Sequence, residues 1–163
     1  MRSKLVVVCA GLAMSLAALA GCSSGTPPVP SAGSSESASS GGAALKTADS
    51  ALGPIVVDQA GRTAYYFTKD TANSGKSVCA GPCLQAWPPI TTTSGTPSVE
   101  GISAKVGTIP LTDGTKQITI NGMPIYLFAK DKGPGDLKGQ GVGSVWYVIA
   151  PDGEMVTKAA SGY

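Results

Sequence analysis

Two cysteines four residues apart and two copies of a Tyr-x-Phe-x-x-Asp cluster are where chemistry could reside in this chain. Cys79 and Cys83 enclose Ala80-Gly81-Pro82. Wound as a helical turn, their Cα atoms would stand about 6 Å apart, inside disulfide range. One reading is a structural staple that shapes the loop before Trp87, stabilising by roughly 2 kcal/mol in the chain-entropy model. The other is a redox-active pair. That second reading lacks the Cys-x-x-Cys spacing and a neighbouring His to stabilise a thiolate, and offers only Lys76 as a cation nearby in sequence.

The second feature is duplicated. Tyr65-Tyr66-Phe67-Thr68-Lys69-Asp70 matches Tyr126-Leu127-Phe128-Ala129-Lys130-Asp131 at an offset of 61 residues, which also superposes Gly61 on Gly122. A tryptophan trails each copy, Trp87 and Trp146. In a strand, positions i and i+2 share a face, so Tyr65 points with Phe67 and Tyr126 with Phe128. The rings then pack a core while Asp70 and Asp131 cap the turns after the strands. Alternatively, rings and carboxylates line a cleft between the repeats, where Tyr and Trp beside Asp suit a sugar or a cationic group. These eight residues are the candidate binding set.

Catalysis finds little to work with. Histidine is absent. That removes Ser-His-Asp and Cys-His catalysis, His-ligated zinc and His-ligated haem. Nothing places Asp70 and Asp131 at the separation a two-carboxylate glycosidase needs. Met123 and Met155 without free thiols make a poor copper site, and Asp131 with Asp136 at most a weak calcium site. The Gly-rich loop 133–144 lacks the Lys-Ser/Thr ending of a phosphate-binding loop. The expectation is a protein that is not an enzyme, with no catalytic residues, no cofactor and no metal.

Strands must position these residues. Ile55-Val56-Val57 runs into Asp58-Gln59-Ala60-Gly61 and then Thr63 to Phe67, a hairpin with a type I turn closed by a left-handed glycine. Lys116 to Ile120, Asn121-Gly122 and Pro124 to Phe128 carry the strongest two-residue hairpin signal. Val145 to Ala150 and Glu154 to Thr157 flank a third turn at Pro151-Asp152-Gly153, and Asp113-Gly114 marks another. One short helix is expected after Pro82, from Leu84 to Trp87, stopped by Pro88-Pro89. The fold class is therefore all-β: a small antiparallel domain over 51–163, built of two hairpin-based repeats at about 51–90 and 108–158.

What precedes that domain sets its location. Arg2 and Lys4 lead an apolar run, Leu5 to Ala20, too short for a comfortable membrane span and shaped like a signal-peptide core. Leu19-Ala20-Gly21-Cys22 resembles a lipoprotein processing site. The resemblance implies that residues 1–21 are removed and that Cys22 carries a diacylglyceryl group. Two acyl chains would hold the protein on a membrane, at about 0.8 kcal/mol per buried CH₂. From Cys22 to Ser50 the chain is Ser, Gly, Ala and Pro with almost no large apolar residue, and reads as a flexible tether. Without Arg2 and Lys4, the 12 basic residues fall to ten against 10 acidic ones, a formally neutral mature chain. No basic stripe remains, which argues against nucleic acid as a partner. The mature thiols, Cys79 and Cys83, are an even pair beyond the membrane, where a disulfide is the expected state.

Taken together, Leu52 to Val156 resembles the bacterial lipoproteins with a Yx(FWY)xxD motif, also called the secreted repeat of unknown function. The two Tyr-x-Phe-x-x-Asp elements carry the resemblance. So do Cys79-x-x-x-Cys83 before Trp87-Pro88-Pro89, and Gly139-Gln140-Gly141 leading to Trp146-Tyr147 and Pro151-Asp152-Gly153. The resemblance implies an envelope lipoprotein and supplies no catalytic residue. The functional expectation is a monomeric, membrane-anchored, non-enzymatic module that binds an envelope protein or glycan. The alternative is a thiol–disulfide or electron-transfer accessory using Cys79 and Cys83.

Overall fold

The computed structural model describes residues 43–159. The leader, Cys22 and the tether as far as residue 42 lie outside them. Among the described residues the chain is nearly all β, with one five-residue helix. The elements run β1 (Leu45–Ser50), β2 (Gly53–Asp58), β3 (Tyr65–Phe67), α1 (Pro82–Ala86), β4 (Thr91–Thr92), β5 (Val99–Glu100), β6 (Val106–Pro110), β7 (Lys116–Ile120), β8 (Met123–Tyr126) and β9 (Trp146–Val148). A 3₁₀ turn covers Val142–Ser144.

The strands form two sheets. One has the order β2-β1-β5, with β1 antiparallel to β2 and parallel to β5. The other runs β4-β7-β8-β3-β9, with β6 paired to β7 as well. Gln117 of β7 is opposite both Thr91 and Ile109, so β6 lies on one side of β7 and β4 on the other. At the centre β3 lies antiparallel between β8 and β9.

Local chemistry explains the turns. Asn121 (φ 50°) and Gly122 (φ 78°) both take the left-handed conformation a type I′ hairpin needs. Gly61 (φ 82°) closes the Asp58 turn, where the Gly61 N–H donates to the Asp58 carbonyl at 2.9 Å. The Asp58 carboxylate also accepts the Arg62 backbone N–H at 2.8 Å and pairs with its guanidinium at 2.7 Å. Helix α1 starts at Pro82, whose missing N–H has no helical partner to lose at that position.

Alternation decides the core. Tyr65, Phe67, Tyr126 and Phe128 fall in one buried cluster with Trp87 and Trp146. Ala64, Tyr66, Ile125 and Leu127 fall in another with Ile90, Ile118 and Ile120. Successive residues of β3 and β8 thus enter different clusters, as a pleated strand covered on both faces requires. The domain has two cores, one on each face of a shared central sheet.

Two sequence expectations need correction. Residues 45–50 are not tether but strand β1, which pairs with all of β2 from Leu45↔Asp58 to Ser50↔Gly53. Leu45 is completely buried. The short, polar run from Lys46 to Ser50 shows no strong strand propensity, and pairing with β2 overrides it. The first expected hairpin is also smaller than read. β2 takes β1 as its main partner along its whole length and meets the following segment in a short ladder, through the Asp58 N–H to Arg62 carbonyl bond, the Val57↔Thr63 bridge and the Ala64 N–H to Val56 carbonyl bond. β3 then departs to pair with β8 and β9.

Candidate functional site

The duplicated tyrosines meet at the centre of the molecule. Tyr65 and Tyr126 are register partners across β3 and β8. That pair is its own copy under the 61-residue offset, so an approximate two-fold axis passes between them. Trp146 follows in β9 beside β3, and the Trp87 segment sits in the matching place beside β8. The bridge of Tyr65 to Val148 is mirrored by Tyr126 to Pro89, and the bond from the Thr68 N–H to the Val145 carbonyl by that from Ala129 to Ala86.

The rings interleave across that axis. Trp87 and Trp146 stack with centroids 3.8 Å apart and planes 2° from parallel. Phe67 stacks on Trp146 and Phe128 on Trp87, each at 4.2 Å. The result is a four-ring pile in which each repeat's phenylalanine rests on the other repeat's tryptophan. Tyr65 meets Trp87 edge-on at 5.5 Å, and Tyr126 meets Trp146 at 5.2 Å. Such aromatic pairs contribute about 0.5–1.5 kcal/mol each beyond the area they bury.

The carboxylates cross over in the same way. Tyr65 donates its hydroxyl to Asp131 Oδ2 at 2.7 Å, and Tyr126 donates to Asp70 Oδ2 at 2.5 Å. The remaining oxygen of each Asp holds its own loop: Asp70 Oδ1 accepts the Val78 N–H at 2.7 Å, and Asp131 Oδ1 the Lys138 N–H at 3.0 Å. Each phenol oxygen has further neighbours, among them Ser77 Oγ 2.6 Å from Tyr126 and the Gly139 N–H 3.3 Å from Tyr65. Burial, and then the facing Asp131, push the Tyr65 phenol far above its ordinary range. Burial and Asp70 do the same to Tyr126. Burial also raises Asp131, against the lowering effect of the Tyr65 and Lys138 bonds. Both phenols are therefore neutral donors at physiological pH.

All eight candidate binding residues are buried, from Tyr65 and Tyr126 at 0% exposed to Phe128 at 9%. The expected cleft between the repeats is closed by the stacked rings, and each Asp is occupied by a tyrosine and a backbone N–H. No buried side-chain nitrogen or oxygen among the described residues lacks a partner. The reading of these residues as an open sugar or cation cleft is thereby corrected: the surface such a ligand would cover is spent between the repeats.

The loops that follow the two Asp residues differ in how they are held. In the first, Cys79 and Cys83 form a disulfide with Cα atoms 5.4 Å apart. Cys79 is 4% exposed and shares the buried cluster of Trp87. In the second, at the offset position of Cys79, Gln140 clamps three backbone groups. It accepts the Val148 N–H at 2.8 Å and donates to the carbonyls of Val156 at 2.6 Å and Lys158 at 2.9 Å. Gly139 passes so close to the rings that a Cβ there would lie 2.7 Å from Tyr65 and 3.0 Å from Trp87. Asp136 binds the Lys132 N–H at 2.7 Å and the Lys138 ammonium at 3.1 Å, whereas Met123 and Met155 pack against the second core. No three His, Cys, Asp or Glu among the described residues are grouped so as to hold a metal ion.

Sequence reasoning missed the surface beside the first loop. Cavities of about 250 and 370 Å³ share Gly75 and Ile109 in their walls and join into a groove between residues 73–84 and the β6–β7 hairpin. Its parts lie far apart in the chain, so no local motif marks it. The offset that aligns the repeats would have flagged both loops as the places where the two copies diverge.

The sequence profile of the secreted repeat of unknown function matches the chain twice, over residues 46–91 and 107–150. The first match begins within β1, in agreement with the structural start of the domain. No curated protein and no solved structure shows a significant match. Two matched copies, related by an axis that passes between Tyr65 and Tyr126, together cover more than half of the sequence, and the chain belongs to the family of the secreted repeat of unknown function, an extracytoplasmic module.

Proposed function

We propose that this protein is a membrane-anchored lipoprotein of the bacterial cell envelope, held by lipid on Cys22, whose β domain is a non-enzymatic interaction module. One observation carries the reading. The residues best suited to chemistry, Tyr65, Asp70, Tyr126 and Asp131, are consumed in joining the two repeats, which leaves the outer strands and loops as the working surface. Their burial supports a scaffold role for the motif that defines the repeat. The Cys79–Cys83 bond fits the same scheme, as a staple on the loop that carries Ser77 and Val78 to the Tyr126–Asp70 pair.

The test has two arms. Alkyne-palmitate labelling in the host is expected on the wild-type chain and absent from Cys22→Ala. The unlipidated chain from Ser23 to Tyr163 is expected to bind isolated envelopes saturably and to leave their composition unchanged by mass spectrometry. Unlabelled wild type would overturn the anchor. Failure to bind, or release of a modified envelope product, would overturn the interaction module.

A further inference from the structure

The two repeats match at their centre and differ at one edge. By the 61-residue offset, Leu45 and Thr47 of β1 correspond to Val106 and Thr108 of β6. The outer edge of β1 is covered by β5, which lies parallel to it with Val99 opposite Leu45 and Glu100 opposite Lys46. The outer edge of β6 pairs with no strand among the described residues. Its free groups can be identified from the ladder. The Leu111 N–H donates to the Thr115 carbonyl and the Asn121 N–H to the Lys105 carbonyl, so residues 105, 107, 109 and 111 face β7. Val106 and Thr108 therefore turn their N–H and C=O groups outward.

The groove lies over one face of the β6–β7 ladder and touches β6 from Gly107 to Pro110. Lys105 and Thr108 line one part of it, and Lys76 and Leu84 the other. Leu84 is 38% exposed, and Val78, next to the disulfide, is 51% exposed. Of the three charged residues in its walls, Lys76 and Lys105 are basic and Asp113 is acidic. Lys76 and Lys105 make no ion pair among the described residues. The carboxylate of Asp113, at the far end, already accepts the N–H and the hydroxyl of Thr115 at 2.9 and 2.6 Å.

We infer that the β6 edge and this groove receive an extended acidic segment of a partner protein, added to the sheet as a parallel strand. This deepens the interaction-module reading and rests on it. Main-chain bonds to Val106 and Thr108 supply affinity, and alternate side chains reach either the apolar wall at Ile109 and Leu84 or the two lysines. The internal precedent is β5, whose apolar–acidic pair Val99-Glu100 occupies the equivalent edge of β1. Pro110, with no N–H to offer, ends the acceptor strand and limits pairing to a short segment.

The probe is an acetylated, amidated peptide with the sequence of residues 97–103, Pro-Ser-Val-Glu-Gly-Ile-Ser, titrated into the ¹⁵N-labelled chain from Ser23 with its disulfide intact. Amide shifts are expected at residues 105–109 and 75–79, and not at 65–67 or 146–148. Thr108→Pro, which removes an outward donor from an edge strand, is expected to abolish them. Lys76→Glu with Lys105→Glu, a surface change that leaves the ladder intact, is expected to weaken binding severalfold, and a Glu→Lys peptide to do the same. No shift at β6, shifts confined to residues 45–50 through displacement of β5, or equal binding by the charge-reversed chain would each overturn the inference. If the peptide fails while the wild-type chain still binds isolated envelopes, the acceptor edge is wrong and the interaction module stands.

Discussion

Tyr65 donates its hydroxyl to Asp131 across 2.7 Å although the two residues belong to different repeats. The bond has a counterpart in Tyr126 to Asp70, so each copy of the motif is completed by the other. Neither repeat contains its own acceptor, and the Tyr-x-Phe-x-x-Asp spacing makes sense only for a pair. Tyr65→Phe and Tyr126→Phe should each lower the unfolding free energy by about 1.5–3 kcal/mol, the range for hydrogen bonds to charged groups. Asp131→Asn keeps an acceptor and should cost less than Asp131→Ala. Urea denaturation of the four variants checks the order.

Alkali should unfold the protein. Burial raises the phenols of Tyr65, Tyr66 and Tyr126 above their ordinary value of 10.0. Above about pH 10 the unfolded chain loses these protons while the folded one keeps them. Their contribution is thus complete below pH 10 and declines as pH rises, by up to about 1.4 kcal/mol per pH unit for each tyrosine. Stability measured from pH 8 to 11.5 should fall steeply, and Tyr126→Phe should show a shallower slope. A flat profile would contradict the burial of the phenols.

Cys79→Ser with Cys83→Ser should cost roughly 2 kcal/mol, the chain-entropy value for so small a loop. The double variant should still fold and should keep the near-ultraviolet circular dichroism of the stacked tryptophans, because the four-ring pile draws on both repeats. Loss of that signal at full denaturant-free stability would show that the staple, not the stack, orders the core.

Gly139→Ala should destabilise by about 1–3 kcal/mol through overpacking, since its Cβ would press on the Tyr65 and Trp87 rings, which are locked by the stack. Gly95→Ala, with no atom within 4 Å of the added carbon, is the control and should be near neutral. Thermal melts of the two variants decide the point.

A chain beginning at Ala51 should fail to fold or melt far below one beginning at Gly42. It lacks β1, and with it fully buried Leu45 and every ladder bond between β1 and β2. Equal melting temperatures would return residues 43–50 to the tether.

The features readable from the chain alone are those decided within a few residues. Asn121-Gly122 had to turn because a left-handed pair of residues selects that dipeptide, and α1 had to begin near Pro82 because proline fits only a first helical turn. The repeat itself was visible as a shared spacing of Tyr, Phe, Asp and Gly. Strand β1 was not, because Leu45 to Ser50 holds a single large apolar residue and becomes a strand only against β2. The role of the motif was also out of reach. Alternation placed Tyr65 and Phe67 on one face, but a face has no content until something packs on it, and what packs here is Trp87 edge-on to Tyr65 and, from the other repeat, Trp146 stacked on Phe67. The open edge of β6 is likewise a relation, visible only beside β1 with β5 laid upon it. Local torsional preferences are written residue by residue, whereas burial and pairing belong to residues that meet only when the two copies close on each other.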